Sequence, residues 1–175
     1  SPYRKKTFSS LGIVFKVISS GVDESKVKKT AKDPEELVRR LALEKAEKVA
    51  LELKKKGEKD FLVIGADSIA SMQVNKQKKN KSWLFFDKPK NRKGANKMVL
   101  LLRGKKHQFY TGLAVISSLG RQKTAVSVSN VYFKNFSDKT RNKFLASGIW
   151  RGRAGGYDFQ RNKSDLIDKF EGSYT

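Results

Sequence analysis

Phe61-Leu62-Val63-Ile64-Gly65-Ala66-Asp67-Ser68 is the stretch on which the fold turns. An unbroken apolar run of strand length, closed by two polar residues, predicts a β-strand buried on both faces of a sheet. The strand is expected to end at Asp67-Ser68, and in open α/β sheets ligands bind beyond the carboxyl ends of strands. A carboxylate at such a place is costly to bury without a partner. Asp67 therefore points to a metal, a substrate or the capping of a turn.

Upstream, the spacing predicts a helix from about Pro34 to Lys56. Asp33 is a suitable N-cap, Pro34 fits the first helical position, Glu36 completes a capping-box spacing and Gly57 supplies the stop. Val38, Leu41, Ala42, Val49, Ala50 and Leu53 form its apolar stripe. Lys45 falls on that stripe, four residues after Leu41 and four before Val49. A lysine there either snorkels along the stripe's edge or meets an anion.

Downstream, Trp83–Phe86 reads as a short strand entering Asp87-Lys88-Pro89, and a helix follows from about Gly94 to Arg103. His107–Ser118 and Lys123–Lys134 alternate as antiparallel strands around a turn at Leu119-Gly120-Arg121. Asp138 is expected to cap a short helix from Lys139 to Ala146 that stops at Gly148. Arg153-Ala154-Gly155-Gly156-Tyr157 is a glycine-rich loop, and Leu166–Phe170 reads as a last strand. Asn75-Lys76-Gln77-Lys78-Lys79-Asn80-Lys81 has the low complexity of a surface insertion between strands, covering about 75–82. With 175 residues, no internal repeat and no dividing linker, the chain reads as one α/β domain, with helices flanking a mixed, twisted sheet.

Composition narrows the chemistry. With no Cys, disulfides, Cys-ligated zinc and thiol catalysis are excluded, and a single His removes most zinc and Ser-His-Asp schemes. What remains is chemistry by carboxylates, Lys, Arg and a hard metal ion. No apolar run approaches the roughly 20 residues needed to span a bilayer, and no charged-then-apolar leader opens the chain, so a membrane is not expected. The net charge of +22 suggests an anionic partner: DNA, RNA, a membrane surface or a phosphorylated small molecule. Its make-up tempers that reading: 29 Lys against 10 Arg favours a solvated surface over bidentate readout of bases and phosphates.

The order of short motifs is more specific than any one of them. Ser1-Pro2-Tyr3-Arg4 leads to Asp23-Glu24, then to the helix carrying Leu41-Ala42 and Glu44-Lys45-Ala46. Ile64-Gly65-Ala66-Asp67-Ser68, Asp87-Lys88-Pro89, and His107 with Thr111-Gly112 come next. Ala154-Gly155-Gly156-Tyr157 with Gln160, and Glu171-Gly172-Ser173-Tyr174, complete the series. This succession resembles the Maf family of nucleoside triphosphate pyrophosphatases, relatives of the inosine triphosphate pyrophosphatase fold, over essentially the whole chain except the insertion.

The resemblance implies two lobes around a deep cleft, often in a homodimer. It implies a cytoplasmic house-cleaning enzyme, from a family associated with septum formation, that hydrolyses a nucleoside triphosphate to monophosphate and pyrophosphate with Mg²⁺ or Mn²⁺. Carried over position by position, it assigns Ser1, Arg4 and Gln160 to substrate binding. It assigns Asp67, Lys45, Lys88 and Glu24 to catalysis, with Glu24 and Asp67 also as metal ligands. These types suit the reaction: Arg4 for bidentate phosphate contact, Lys45 and Lys88 as point charges, and two carboxylates for an ion that keeps several waters. Gln160 resembles the subgroup acting on dTTP, UTP and modified uridine triphosphates.

The chain departs from the pattern at Tyr3, where the family repeats Arg, with Lys5 as the candidate replacement. Arg153 stands for Lys, and Asp158-Phe159 for Gly-Ile. Both ends look clipped, the start falling where the family would already have completed a first strand and the end before its usual closing strand. The competing readings are a nucleic-acid or nucleotide-binding protein on the same scaffold, and a nucleotide-sensing regulator of division.

Overall fold

The structure, a computed structural model, describes residues 1–74, 82–158 and 165–172, the Pro2 side chain apart. Among these residues five α-helices and five strands follow in the order α1 (Pro2–Ser10), α2 (Glu24–Thr30), α3 (Pro34–Lys55), β1 (Leu62–Val74), β2 (Ser82–Phe86), α4 (Arg92–Leu102), β3 (Lys106–Ser117), β4 (Gln122–Phe133), α5 (Asp138–Ser147) and β5 (Ile167–Glu171), with one short 3-10 turn (Ala154–Gly156) between α5 and β5. The strands form one sheet in the order β2-β1-β3-β4-β5. Each ladder among the described residues is antiparallel, where a mixed sheet was expected; the helices flank it as the sequence predicts. No helix of the described residues is long and apolar enough to cross a membrane.

Local chemistry places α3. Asp33 accepts the Glu36 N–H at 2.8 Å, satisfying one unpaired donor of the first turn, and Glu36 reaches back to accept the N–H of Lys32, the residue before the cap, at 3.0 Å. Leu37, Val38, Leu41, Ala42, Ala46, Val49 and Ala50 are buried on its inner face. That face lies on β1 and β3 with almost no gap. A Cβ built on Gly65 would stand 2.2 Å from the Ala42 carbonyl oxygen, and one on Gly112 2.3 Å from that of Val38. Two glycines in the sheet thus let the helix backbone settle directly onto the strands.

Alternation along β1 sends Val63, Gly65, Asp67 and Ile69 toward α3, and Leu62, Ile64, Ala66 and Ser68 to the other face. The second face is covered only farther along. There Ala70, Phe86, His107, Val131 and Phe133 pack with Val99 and Leu102 of α4, Phe144 and Leu145 of α5, Trp150 and Tyr157. Helices therefore cover opposite faces at opposite ends of the sheet. This corrects the reading of Phe61–Ala66 as buried on both faces: Leu62 and Ile64 are 63% and 42% exposed, because the large core lies beyond their reach.

A second correction concerns Asp67. It does not close the strand but sits at its middle, opposite Gly112 of β3, and the ladder runs on to Val74 opposite Ser82. At the short helix α5, Ser137 provides the cap by accepting the Thr140 N–H, and Asp138 is the first helical residue. Of the 75–82 insertion, Ser82 starts β2 and the rest lies outside the described residues.

Candidate active site

Asp67 faces α3 because it shares a strand face with Gly65, and Lys45 faces β1 because it lies one turn beyond Leu41 on the buried side of α3. The two meet: Lys45 Nζ donates to Asp67 Oδ1 at 2.6 Å. The same ammonium donates to Glu24 Oε1 at 2.7 Å. Glu24 is the first residue of α2, positioned by Asp23, whose carboxylate accepts the Ser25 N–H at 3.0 Å. A lysine on an apolar helix stripe has thus met two carboxylates from two other elements. Of the alternatives the sequence left open, the anion partner is the one observed.

Burial pushes the Asp67 carboxyl above its ordinary range, the charge of Glu24 adds to that, and Lys45 and Arg4 only partly offset it. Burial also acts on Glu24, but its bonds to Lys45 and Lys28 outweigh it and hold the group below the usual carboxylate range. Lys45, drawn down by burial, is raised on balance by Asp67 and Glu24. Two carboxylates around one ammonium therefore differ in basicity, with Asp67 the more basic.

Over Leu62–Ile69, β1 carries a ladder on one side only among the described residues, and Arg4 comes in at the other edge. Its Nη1 donates to the Ala66 carbonyl and its Nη2 to Ser68 Oγ, both at 2.9 Å. Ser68 Oγ in turn lies 3.0 Å from Thr111 Oγ1 of β3. Ser1 caps α1, its hydroxyl facing the Arg4 N–H at 3.5 Å, and is exposed. It starts the helix that delivers Arg4 and is not itself among the bonded site groups.

Lys88 is exposed and joins through its backbone, whose N–H donates to Asp87 Oδ1 at 2.7 Å. Asp87 Oδ2 accepts from Lys28 Nζ, and Lys28 lies 3.3 Å from Glu24 Oε2. Glu24, Lys45 and Asp67 therefore meet directly, Arg4 is bonded to the residues on either side of Asp67, and the Lys88 backbone is joined to Glu24 through Asp87 and Lys28. Gln160 lies outside the described residues.

Lys28 and Asp87 are members that sequence reasoning missed. Glu24 and Lys28 stand four apart, a helical pairing legible once α2 is recognised. The contact from Lys28 to Asp87 spans 59 residues and has no local signal.

Two departures from the motif pattern also meet each other. Arg153 Nε and Nη2 both lie 3.0 Å from Asp158 Oδ2, so the added carboxylate has a guanidinium partner five residues away.

Comparison with known proteins places the whole chain in one family. A family model described as Maf-like protein matches residues 1–175. A dTTP/UTP pyrophosphatase of Treponema denticola is 34% identical over 100% of this chain and 85% of its own length. The dTTP/UTP pyrophosphatase of Alkaliphilus oremlandii is 34% identical over 99% of this chain and 83% of its own. That of Pelotomaculum thermopropionicum is 32% identical over 100% and 84%.

Proposed function

The chain belongs to the Maf family, and from that premise we propose that it is a nucleoside triphosphate pyrophosphatase acting on dTTP and UTP. The observation that carries the reading is the pair of carboxylates, Glu24 and Asp67, drawn to one ammonium within 2.7 Å. Relatives of about a third identity over the full chain carry that activity in their names.

The donor set fits a hard divalent ion, Mg²⁺ or Mn²⁺. Glu24 and Asp67 offer oxygen ligands in the number Mg²⁺ usually takes from protein while keeping several waters. Lys45 already balances their charge as a cation between them. The residues to hold the ion are Glu24 and Asp67. When bound, it supplies Lewis-acid stabilisation of charge on the phosphate oxygens.

The chain's own groups do the rest. Asp67, the more basic carboxylate, orients a water for attack on the α-phosphorus and accepts its proton. The new bond joins water oxygen to the α-phosphorus; the α–β anhydride bond breaks, and pyrophosphate leaves with the bonding pair. Arg4, Lys45 and Lys88 are fixed cations for the charge that develops, and Ser1 keeps Arg4 on a capped helix. Gln160 keeps its assignment to base recognition on the resemblance alone. The Arg153 partner of Asp158 supports a pyrimidine subgroup despite the extra acid, since the carboxylate is neutralised within its own loop.

Incubation with dTTP or UTP and Mn²⁺ or Mg²⁺ is expected to give the nucleoside monophosphate and pyrophosphate in equal amounts. Release of single phosphate, or no turnover of either nucleotide, overturns the reading.

A further inference from the structure

Asp67, Lys45, Glu24, Lys28 and Asp87 form an unbroken line of alternating charge, from the middle of β1 across α3 and α2 to the loop after β2. The proposed chemistry uses the first three. Lys28 is the joint to what lies beyond. Its ammonium touches Glu24 Oε2 on one side and Asp87 Oδ2 on the other, and Asp87 Oδ1 holds the backbone N–H of Lys88.

Neither segment that Lys28 joins is a strand of the sheet, although Val27 anchors α2 in one buried cluster with Ile69 and Tyr110. Helix α2 has seven residues, of which Val27 alone is buried, and a helix that short is not stable by itself. The Asp87-Lys88 step follows the last paired residue of β2, Phe86, and both of its residues are exposed. A local i,i+4 attraction to Glu24 would be satisfied without Asp87. The second contact ties α2 to a loop 59 residues away. Lys28 and its partners are 30%, 38% and 54% exposed, and ion pairs so exposed add little to folding stability. What the link does set is distance.

We propose that Lys28 is a positioning residue of the active site, holding Glu24 and Lys88 at a fixed separation so that both act on one triphosphate. This rests on the pyrophosphatase reading for the roles of Glu24 and Lys88. A long cationic side chain suits the task, since its several N–H donors reach two single carboxylate oxygens at once.

The test compares wild type with Lys28→Met, Lys28→Arg, Asp87→Asn and the Lys28→Met/Asp87→Asn double variant. The readouts are kcat and KM for dTTP with Mn²⁺, and calorimetric binding of a non-hydrolysable α,β-imido analogue of dUTP. Lys28→Met is expected to raise both KM and the analogue's Kd about tenfold, the range seen when a partner of a metal-site ligand is removed, with kcat less affected and Tm unmoved. Lys28→Arg restores most of the loss. Asp87→Asn reproduces it, and the double variant is no worse than the worse single one, because both act through one link.

Unchanged KM and Kd in Lys28→Met overturn the proposal. So does a loss that tracks Tm and is not rescued by Arg, or a double variant whose effects add. Wild type that binds the analogue without turning over dTTP sinks the pyrophosphatase reading, while the Kd series still decides Lys28. Wild type that does neither overturns both.

Discussion

Two regions of the sheet hold an ionisable side chain against the interior, and they do so in opposite ways. At the α3 end, Lys45 is 19% exposed and stays charged because Glu24 and Asp67 stand on either side of it. At the other end His107, 1% exposed, sits in a cage of Phe86, Phe133 and Tyr157. Burial there lowers its pKa to about 3, so the ring stays neutral. Its Nε2 shares a 2.8 Å hydrogen bond with Tyr157 Oη, and Nδ1 has no partner among the described residues. The contrast separates chemistry from architecture. A charge retained at the cost of desolvation marks a site that uses charge, whereas a titratable group stripped of charge serves packing.

The largest effect expected from breaking the charged end is on turnover. Lys45→Ala or Asp67→Asn should lower kcat/KM for dTTP by ~10³-fold or more, about 4 kcal/mol of transition-state stabilisation. Circular dichroism should stay that of the folded protein. Variants retaining activity within about tenfold of wild type would remove those residues from the assigned roles.

The next effect tests how the charged end is built. Gly65→Val places a Cβ against the Ala42 carbonyl and within 2.9 Å of the Ala46 backbone nitrogen. Neither neighbour is a side chain that can rotate away, so α3 must lift, taking Lys45 from Asp67. A loss of about 3 kcal/mol in denaturant unfolding is expected, with activity falling too. A stable, active Gly65→Val would show that the close helix–sheet approach does not set the site.

Legibility in the sequence follows the same division. The start of α3 was readable because its signals are local: an Asp, a Pro and a Glu at fixed spacing. Lys45 was readable as an inward lysine because helical period alone decides which way it faces. Asp67 was readable as important but misplaced, since an apolar run does not say which face a sheet leaves open. The run stopped at the aspartate, whereas pairing with β2 and β3 carried the strand seven residues further. The meeting of α2 with the Asp87-Lys88 loop, and the role of Gly65 and Gly112 under α3, depend on tertiary approach and left no periodic trace. The +22 charge located none of this; the proposed site turns on two cations, Lys28 and Lys45, and the acids bonded to them.

The apolar end makes its own prediction with pH. Above pH 6.5 His107 is neutral in both folded and unfolded chains, and its contribution is complete. As pH falls below 6.5 the unfolded chain takes up a proton that the folded one refuses until about pH 3. Stability should therefore drop by about 1.4 kcal/mol per pH unit from this group across that window. His107→Phe strands the Tyr157 hydroxyl and costs about 1–3 kcal/mol at pH 7, but it should remove that part of the acid slope. An unchanged slope in chemical denaturation between pH 6 and 4 would assign the acid sensitivity elsewhere.

The smallest effect is the sharpest control on the comparison. Lys56 and Glu52 lie 2.6 Å apart, the same separation as Lys45 and Asp67, yet they are 64% and 48% exposed against 19% and 14%. If distance alone gave an ion pair its importance, the two pairs would respond alike. If desolvation does, Glu52→Gln should leave both Tm and kcat/KM within error, because water and salt already screen that pair. Raising salt from 0.1 to 1 M shortens the screening length from about 10 Å to about 3 Å. The Glu52→Gln variant and wild type should respond identically to that change. A measurable loss in Glu52→Gln would mean that the end of α3 is held by charge as its middle is, and that exposure does not separate site from surface.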